Sequence, residues 1–472
     1  MGVEHFFRQL IERNLPFDPT EDQSRAAAAM AEFVTLRDDS DMMVVAGYAG
    51  TGKTSLMAAF VKALKSMEYK FVLLAPTGRA AKVLSGFTGE KAFTMHKHIY
   101  RQQSLSAGGK FTLDVNKAFD TYYIVDEASL ITIDNGSGSI FGSGDLLDDF
   151  VTYVRGGRGN NIIFVGDRGQ LPPIGMDESP ALDVDFLQST YGPVVEASLS
   201  QVVRQAGESG ILHNATLMRQ QIEQGFPAPV QMELEGFDDV ESIGGGDLIE
   251  KLSDSIDRYG LDEVVVLCRS NKRANRYNAG IRSTVLYREE QLNRGDKLMV
   301  VKNCYQFLEK INDPSFFIAN GDVAQLMRIS KHEERYGLHF AEAVLCFSDY
   351  NDLEITAKII LDTLTSESAA LTAEQQKELF EGVLADYADV KTKKKRFEAV
   401  REDPYFNALQ IKYASAVTCH KSQGGQWKCV FIDNPFWRDD IELEDLKWLY
   451  TAITRATEKV YLINFKQNFI KS

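Results

Sequence analysis

The stretch Val44-Val45-Ala46-Gly47-Tyr48-Ala49-Gly50-Thr51-Gly52-Lys53-Thr54 decides the fold of this chain. Two valines end a short apolar run, as a buried strand does. The pattern G-x-x-x-x-G-K-T then runs from Gly47 to Thr54, and Ser55-Leu56-Met57-Ala58-Ala59-Phe60 continues with helix formers. Strand, glycine loop and helix form the frame in which this pattern cradles phosphate. Gly47, Gly50 and Gly52 let backbone N–H groups close on phosphate oxygens with no Cβ in the way. The helix N-terminus behind them favours negative charge. Lys53 is placed to reach the β- and γ-phosphates, and the Thr54 hydroxyl to hold Mg²⁺. Thr51 and Ser55 complete the set of candidate nucleotide contacts.

Further apolar runs surround this loop. Phe71–Ala75, Tyr122–Val125 and Asn161–Gly166 are almost continuously apolar and are separated by helical stretches, the signature of a parallel sheet covered on both faces. Ligands in such sheets bind at the carboxyl ends of the strands. Those ends carry Gly47, Pro76, Asp126 and Asp167. Asp126 can complete the Mg²⁺ shell, and Glu127 can orient and deprotonate an attacking water. Gln170, on the loop Arg168-Gly169-Gln170-Leu171-Pro172-Pro173, can sense the γ-phosphate or stand as an ordinary loop glutamine. Upstream, Phe6, Phe7, Leu10, Ile11 and Leu15 fall at helical spacing. Thr20 and Gln23 then have the spacing of a capping box opening an alanine-rich helix. The Gln23 amide also suits the adenine edge, and the two roles are compatible.

The chain has 472 residues, 44% hydrophobic and 25% charged. No apolar run approaches the ~20 residues of a membrane span, and Met1–Phe7 lacks the basic start and apolar core of a signal peptide. A cytoplasmic protein is expected. Five scattered cysteines form neither a disulfide framework nor a zinc site. The net charge of -15 excludes a broad basic coat but leaves room for a narrow basic groove.

Between Ile99–Gln102 and Phe111–Val115 lies Ala107-Gly108-Gly109-Lys110, which predicts a small β-hairpin with a glycine turn. Residues 206–262 are acidic and weakly patterned. Val264–Cys268 starts a second set of strands, with Lys297–Val301 another. From about 304 to 408 short strands around Asn320-Gly321-Asp322 suggest a small β-barrel, followed by a charged helical stretch at 371–402. Its basic run Lys391–Arg396 reads as a solvated helix face, with a nucleic-acid contact as the lesser reading. The parallel pattern resumes with Ile411–Val417, Lys428–Asp433, a helix around Trp448–Ala456, and Val460–Ile463 closing the sheet.

The ordered set G-Y-A-G-T-G-K-T, A-P-T-G-R-A-A, T-M-H, V-D-E-A-S, V-G-D-R-G-Q-L-P-P-I-G, V-V-R-Q, T-C-H-K-S-Q-G-G-Q-W and Y-T-A-I-T-R-A resembles superfamily 1 DNA helicases of the RecD-like and Dda-like branch. The resemblance implies an α/β fold of two RecA-like lobes. The first takes 1–200, with a hairpin insert at about 97–120. The second takes 201–303 and 409–472, interrupted by an SH3-like barrel and helices at 304–408. It implies ATP and Mg²⁺ between the lobes, with Arg204 and Arg455 as arginine fingers and Gly424 beside the nucleotide. It also implies single-stranded DNA across the lobe tops, against Pro76, Thr77, Thr94, His96, Thr418, His420 and Lys421. The implied activity is 5′-to-3′ translocation and duplex unwinding by a monomeric motor, with possible partners in replication, repair or recombination. Two other classes stand beside it. A phosphate-loop switch or small-molecule kinase usually needs one lobe and no second-lobe arginine. A helicase–nuclease needs a further cluster of acids and lysine, which the sequence does not offer. His96 and His420 lack the companions a metal site requires.

Overall fold

The computed structural model describes residues 2–36, 41–102, 111–133, 141–202, 209–225, 231–304, 318–436 and 441–471. Among these residues no helix is long and apolar enough to cross a membrane.

Two helices open the chain, α1 (Val3–Asn14) and α2 (Glu21–Thr35). The sheet that follows is built from β1 (Met42–Gly47), β2 (Lys70–Ala75) and β3 (Ala92–Thr94), with α3 (Lys53–Ser66), α4 (Gly78–Thr88) and α5 (Met95–Ile99) between and after them. The hairpin β4 (Tyr100–Gln102) and β5 (Phe111–Leu113) leads to β6 (Thr121–Val125), α6 (Leu146–Arg155), β7 (Asn161–Gly166), α7 (Val184–Tyr191) and β8 (Val194–Leu199). The six-stranded sheet has the order β3-β2-β6-β7-β1-β8 and every pair is parallel. Successive strand residues serve opposite cores, because side chains alternate across a sheet. Met43, Val45, Ile163 and Val165 pack under α1–α3 with Phe7, Met30 and Phe60. Met42, Val44, Ile162 and Phe164 pack under α6 with Leu147, Phe150 and Val154. This two-sided burial is why the strands read as unbroken apolar runs.

Beyond β8 the chain forms α8 (Gly210–Gln224), β9 (Met232–Glu233), β10 (Val240–Ile243), α9 (Leu248–Tyr259), β11 (Val264–Cys268) and α10 (Asn271–Gly280). The weakly patterned stretch 206–262 thus holds, among its described residues, the two helices α8 and α9 and the two short strands β9 and β10. In α9 the apolar positions Leu248, Leu252, Ile256 and Tyr259 recur at helical spacing among acids, and they pack on the second sheet.

The barrel is β12 (Lys297–Val300), β13 (Val323–Arg335), β14 (Leu338–Phe347), β15 (Leu353–Ile360) and β16 (Leu409–Tyr413), closed by β12 pairing with β16. Its bounds correct the expected 304–408 insert, since Lys297–Val301 and Ile411–Tyr413 were assigned to the parallel sheet. Leu298, Val300, Leu409 and Ile411 point into the barrel core, while Lys297, Gln410 and Lys412 alternate with them. That period of two belongs to a sheet with unlike faces, not to a doubly covered one. Two helices, α11 (Ala373–Asp386) and α12 (Lys393–Glu402), sit between β15 and β16. Residues 391–395 are exposed, as a solvated face requires.

The second lobe resumes with β17 (Ala416–Thr418), α13 (Cys419–Ser422), β18 (Trp427–Asp433), α14 (Leu443–Ile453), β19 (Ala456–Ile463) and β20 (Ile470–Lys471). Its sheet runs β10-β19-β18-β11-β17, all parallel. Val460–Ile463 therefore lies inside the sheet, with β10 at the edge. The core of this lobe continues into the first, since Leu171, Tyr48 and Ala49 pack with Leu446, Leu449 and Ile453 of α14.

Candidate active site

The phosphate loop joins β1 to α3, with Gly50 and Gly52 at φ +76° and +79°. Both angles lie in the left-handed region that favours glycine. A Cβ at Gly47 would come within 2.9 Å of both Leu199 Cβ and Lys53 Cγ, so the loop also needs its first glycine for close packing. Thr51 closes the turn by donating its N–H and hydroxyl to Tyr48 O, at 3.3 and 2.8 Å. Lys53 Nζ donates to Tyr48 O at 2.8 Å and stands 3.7 Å from Asp167 Oδ2. Thr54 and Ser55 lie half-buried in the first turn of α3.

Sheet order brings the remaining first-lobe groups to this loop, because β6 and β7 are the next strands out from β1. Asp126 and Glu127 follow β6, and Asp167 follows β7. Burial, and then the charge of Glu127, raise the Asp126 carboxyl to about 7. A nearby cation favours the ionised form of such a carboxyl, which fits the Mg²⁺ role for Asp126 with Thr54. Glu127 takes a left-handed backbone, φ 52°, and donates its N–H to Asp126 Oδ1 at 2.9 Å.

Gln23 is fully buried. Its Oε1 accepts Thr20 N–H at 3.1 Å, completing the capping box with Thr20 Oγ1 and Gln23 N–H, and its Nε2 donates to Thr51 O at 2.9 Å. The amide thus braces the phosphate loop from α2. Asp22 ties the same helix turn to the end of β8 by accepting from Ser200 N–H, Ser200 Oγ and Gln201 N–H. Burial alone would raise this carboxyl, but those hydrogen bonds and Arg25 hold it below the usual range. Arg204 lies outside the described residues.

The second lobe reaches this site through α14 and the turn after it. Arg455 is buried, 3% exposed, and donates from Nε to Thr451 O at 3.1 Å and from Nη1 to Gly425 O at 3.3 Å. Its Nη1 lies 3.9 Å from Glu127 Oε1, across the lobe boundary. Leu171 N–H donates to Thr451 Oγ1 at 2.8 Å, and Gln423 Nε2 donates to Leu171 O at 2.7 Å. Gln170, beside them, is 5% exposed, and its Oε1 has no hydrogen-bond partner among the described residues. An orphaned buried acceptor between the lobes fits a group kept for a ligand. The Tyr450 hydroxyl accepts Ala49 N–H and donates to Asp167 Oδ2, each at 2.8 Å. Tyr450 and Thr451 escaped the sequence reading. They share a helix with Leu446, Leu449 and Ile453, where a buried tyrosine reads as core.

Gly424 precedes Gly425, whose carbonyl accepts from Arg455 Nη1. It has φ +72°, and a Cβ there would come within 3.0 Å of both Thr77 Oγ1 and Ala80 Cβ. It is a close-packing point where the second lobe meets the N-terminus of α4. Thr77 caps that helix through Ala80 N–H at 3.2 Å, and Thr94 caps α5 through Lys97 N–H at 3.4 Å. Pro76 and Thr418 are half-buried beside these caps and at the start of α13. His96 packs against Phe141 and Tyr100, with ring centroids 4.8 and 5.7 Å away. Burial lowers its pKa to about 4, so it is neutral at pH 7. Its place in the aromatic root of the hairpin limits it to a neutral contact with DNA. Burial also lowers His420 and Lys421, and Lys421 Nζ donates to Asn320 Oδ1 of the barrel at 2.6 Å. Arg79, unforeseen, stacks over the Trp427 ring at 3.9 Å and donates to Gln426 O at 2.9 Å, a second clasp between the lobes.

An AAA domain family model matches residues 20–228, which hold the phosphate loop and both acids. A model of the UvrD-like helicase C-terminal domain matches residues 413–463, the span that delivers Tyr450, Thr451 and Arg455. These matches, with the relatives that follow, make the chain similar to the superfamily 1 helicases of the Dda- and RecD-like group. The ATP-dependent DNA helicase dda of Enterobacteria phage T4 is 24% identical over 94% of this chain and 99% of its own length. The ATP-dependent RecD2 DNA helicase of Deinococcus radiodurans is 29% identical over 37% of this chain. An uncharacterised protein of Methanocaldococcus jannaschii is 22% identical over 94% of it. This chain spans 21% and 38% of those last two proteins. A Bacteroides Pif1 helicase solved with ADP-AlF3 and single-stranded DNA aligns over 97% of this chain and 95% of its own, at 16% identity and a TM-score of 0.47.

Proposed function

We propose that this chain hydrolyses ATP between its lobes to move 5′-to-3′ along single-stranded DNA and to part a duplex ahead of it. The observation that carries the reading is the reach of α14 into the first lobe. Phosphoryl transfer needs positive charge on the charge that develops at the γ-phosphate. The described first lobe brings Lys53, and the second brings Arg455 to the carboxylate that would act as base. Lys53 and the loop amides hold the β- and γ-phosphates, Thr54 and Asp126 hold Mg²⁺, Glu127 orients water, and Gln170 faces the nucleotide. Arg204 is proposed as a second finger. A site completed by both lobes makes nucleotide turnover and lobe movement one process.

The DNA track we propose follows Pro76, Thr77, Thr94 and His96 on one lobe and Thr418, His420 and Lys421 on the other. Helix-cap amides, hydroxyls and one lysine bind phosphates without reading sequence. A duplex carrying a 5′ single-stranded tail is expected to unwind, while its 3′-tailed counterpart is left intact. Preferential unwinding of the 3′-tailed substrate would reverse the polarity. A phosphate-loop switch or kinase predicts ATPase activity indifferent to single-stranded DNA.

We assign strand separation to the hairpin. Its arms pair Tyr100 with Leu113, Arg101 with Thr112 and Gln102 with Phe111. The root is fixed on the first lobe: Tyr100 OH donates to Asp149 Oδ2 at 2.7 Å, and the Phe111 and Phe141 rings lie 4.9 Å apart. The expected tip lies outside the described residues. Separating a base-pair step takes ~1.4 kcal/mol, within reach of a rooted wedge driven by ATP. Because Phe111 belongs to the core, a test stops short of it. Replacing residues 103–110 with a short Gly/Ser linker is expected to keep DNA-stimulated ATPase activity and abolish most unwinding. Unwinding at the normal rate by that variant moves the wedge to another element.

A further inference from the structure

Tyr450 places a second-lobe hydroxyl inside the phosphate site of the first. It is 1% exposed, and its oxygen lies 2.8 Å from both Ala49 N and Asp167 Oδ2. The ring lies flush against Gly169, where a Cβ would approach Tyr450 Cε1 to 3.0 Å. Burial and Asp167 keep the phenol neutral, so it can accept from the amide and donate to the carboxylate together. Asp167 is in turn 3.7 Å from Lys53 Nζ. One hydroxyl thereby touches the phosphate-loop backbone and stands one group away from the phosphate-loop lysine.

An amide has one hydrogen. Ala49 belongs to the glycine loop Gly47–Thr54, whose backbone N–H groups cradle phosphate, and an N–H spent on the Tyr450 hydroxyl cannot serve a phosphate oxygen at the same time. From this geometry we infer that Tyr450 is a positioning residue, an inter-lobe latch that competes with the nucleotide phosphates for the Ala49 amide. Seating the phosphates releases the hydroxyl and frees α14 to shift. Loss of phosphate restores the latch. Thr451, the next residue, makes the contrasting contact. It holds Leu171 N–H and touches no phosphate-loop amide, so it docks the lobes without competing.

The inference rests on the phosphate-loop reading, and one titration separates the two. ATPγS binding is measured for the wild type, Tyr450→Phe and Thr451→Ala, with the unfolding midpoint of each. Phenylalanine keeps the ring and removes the competitor. A net hydrogen bond contributes ~0.5–1.5 kcal/mol, so Tyr450→Phe is expected to bind ATPγS about two- to tenfold more tightly. Amide exchange of the peptide holding Ala49 should quicken in that variant before nucleotide is added and become as slow as wild type after it. Thr451→Ala should not tighten binding, although it loosens the same interface. A weaker or unchanged affinity in Tyr450→Phe overturns the latch. Weaker binding would make the hydroxyl a phosphate ligand, and unchanged binding would leave it a packing contact. If Tyr450→Phe does not fold, rapid exchange at Ala49 in the wild type without nucleotide overturns the latch by itself. If the folded wild type binds no ATPγS, the phosphate-loop reading falls and takes the latch with it.

Discussion

Arg455→Ala is expected to lower the DNA-stimulated turnover of ATP about 10³-fold, the scale of an arginine finger. That loss corresponds to ~4 kcal/mol of transition-state stabilisation. The side chain is held in place rather than left to find its target: its Nε and Nη1 donate to Thr451 O and Gly425 O, and Nη1 faces Glu127 Oε1 at 3.9 Å. Those carbonyls fix the guanidinium plane while one edge points at the acid pair. Arg455→Lys should recover little, because a lysine cannot reproduce the planar fork that makes both carbonyl contacts. ATPγS affinity should change only a few-fold in either variant, since the effect belongs to the transition state. Steady-state ATPase assays on poly(dT), beside ATPγS titrations, check both statements. A variant keeping a tenth of wild-type turnover would remove Arg455 from the chemistry and leave it as an inter-lobe tether.

What the sequence made legible is what chain neighbours determine. The phosphate loop, the acid pair after β6 and the Thr20–Gln23 cap each lie within a few residues, so spacing alone carries their geometry. The Gln23 amide shows the limit of this. Its capping bond was readable, but its bond to Thr51 O joins two elements whose packing decides it. Tyr450 was illegible for the same reason. Its partners Ala49 and Asp167 are 401 and 283 residues away along the chain, and its neighbours in sequence are core leucines. The barrel bounds were hard to read at β12 because Met299, on its outward side, packs in the second-lobe core while Leu298 and Val300 fill the barrel, so the strand is apolar on both faces. Lys297 and Lys412 are both nearly buried, 8% exposed, yet they mark the outward positions of β12 and β16. The resemblance places His96 beside DNA, but sequence spacing says nothing of what packs on its ring. The ring of Phe141, from a distant segment, is what covers it.

Glu127→Gln is expected to bind ATP and turn it over at least ~100-fold more slowly, as the loss of a positioned general base predicts. The backbone at Glu127 is the physical argument for this role. A non-glycine residue at φ 52° adopts a conformation that costs roughly 1 kcal/mol and persists only where the surroundings enforce it. Here the Glu127 N–H is tied to Asp126 Oδ1, and the turn Ala128–Leu130 follows at once. The strained turn sends the Glu127 carboxylate across the lobe boundary towards Arg455, beside the Asp126 carboxylate proposed above for Mg²⁺. Glutamine keeps the shape and loses the proton acceptor, so folding and ATPγS binding should survive. Glu127→Asp should also be slow: it keeps the charge but withdraws the carboxylate by one methylene from the water it must reach. A single-turnover hydrolysis experiment distinguishes this from slow product release, because loss of the base slows the chemical step itself. If Glu127→Gln hydrolyses bound ATP in a single turnover at the wild-type rate, the base lies elsewhere, and the contact with Arg455 is only an inter-lobe ion pair.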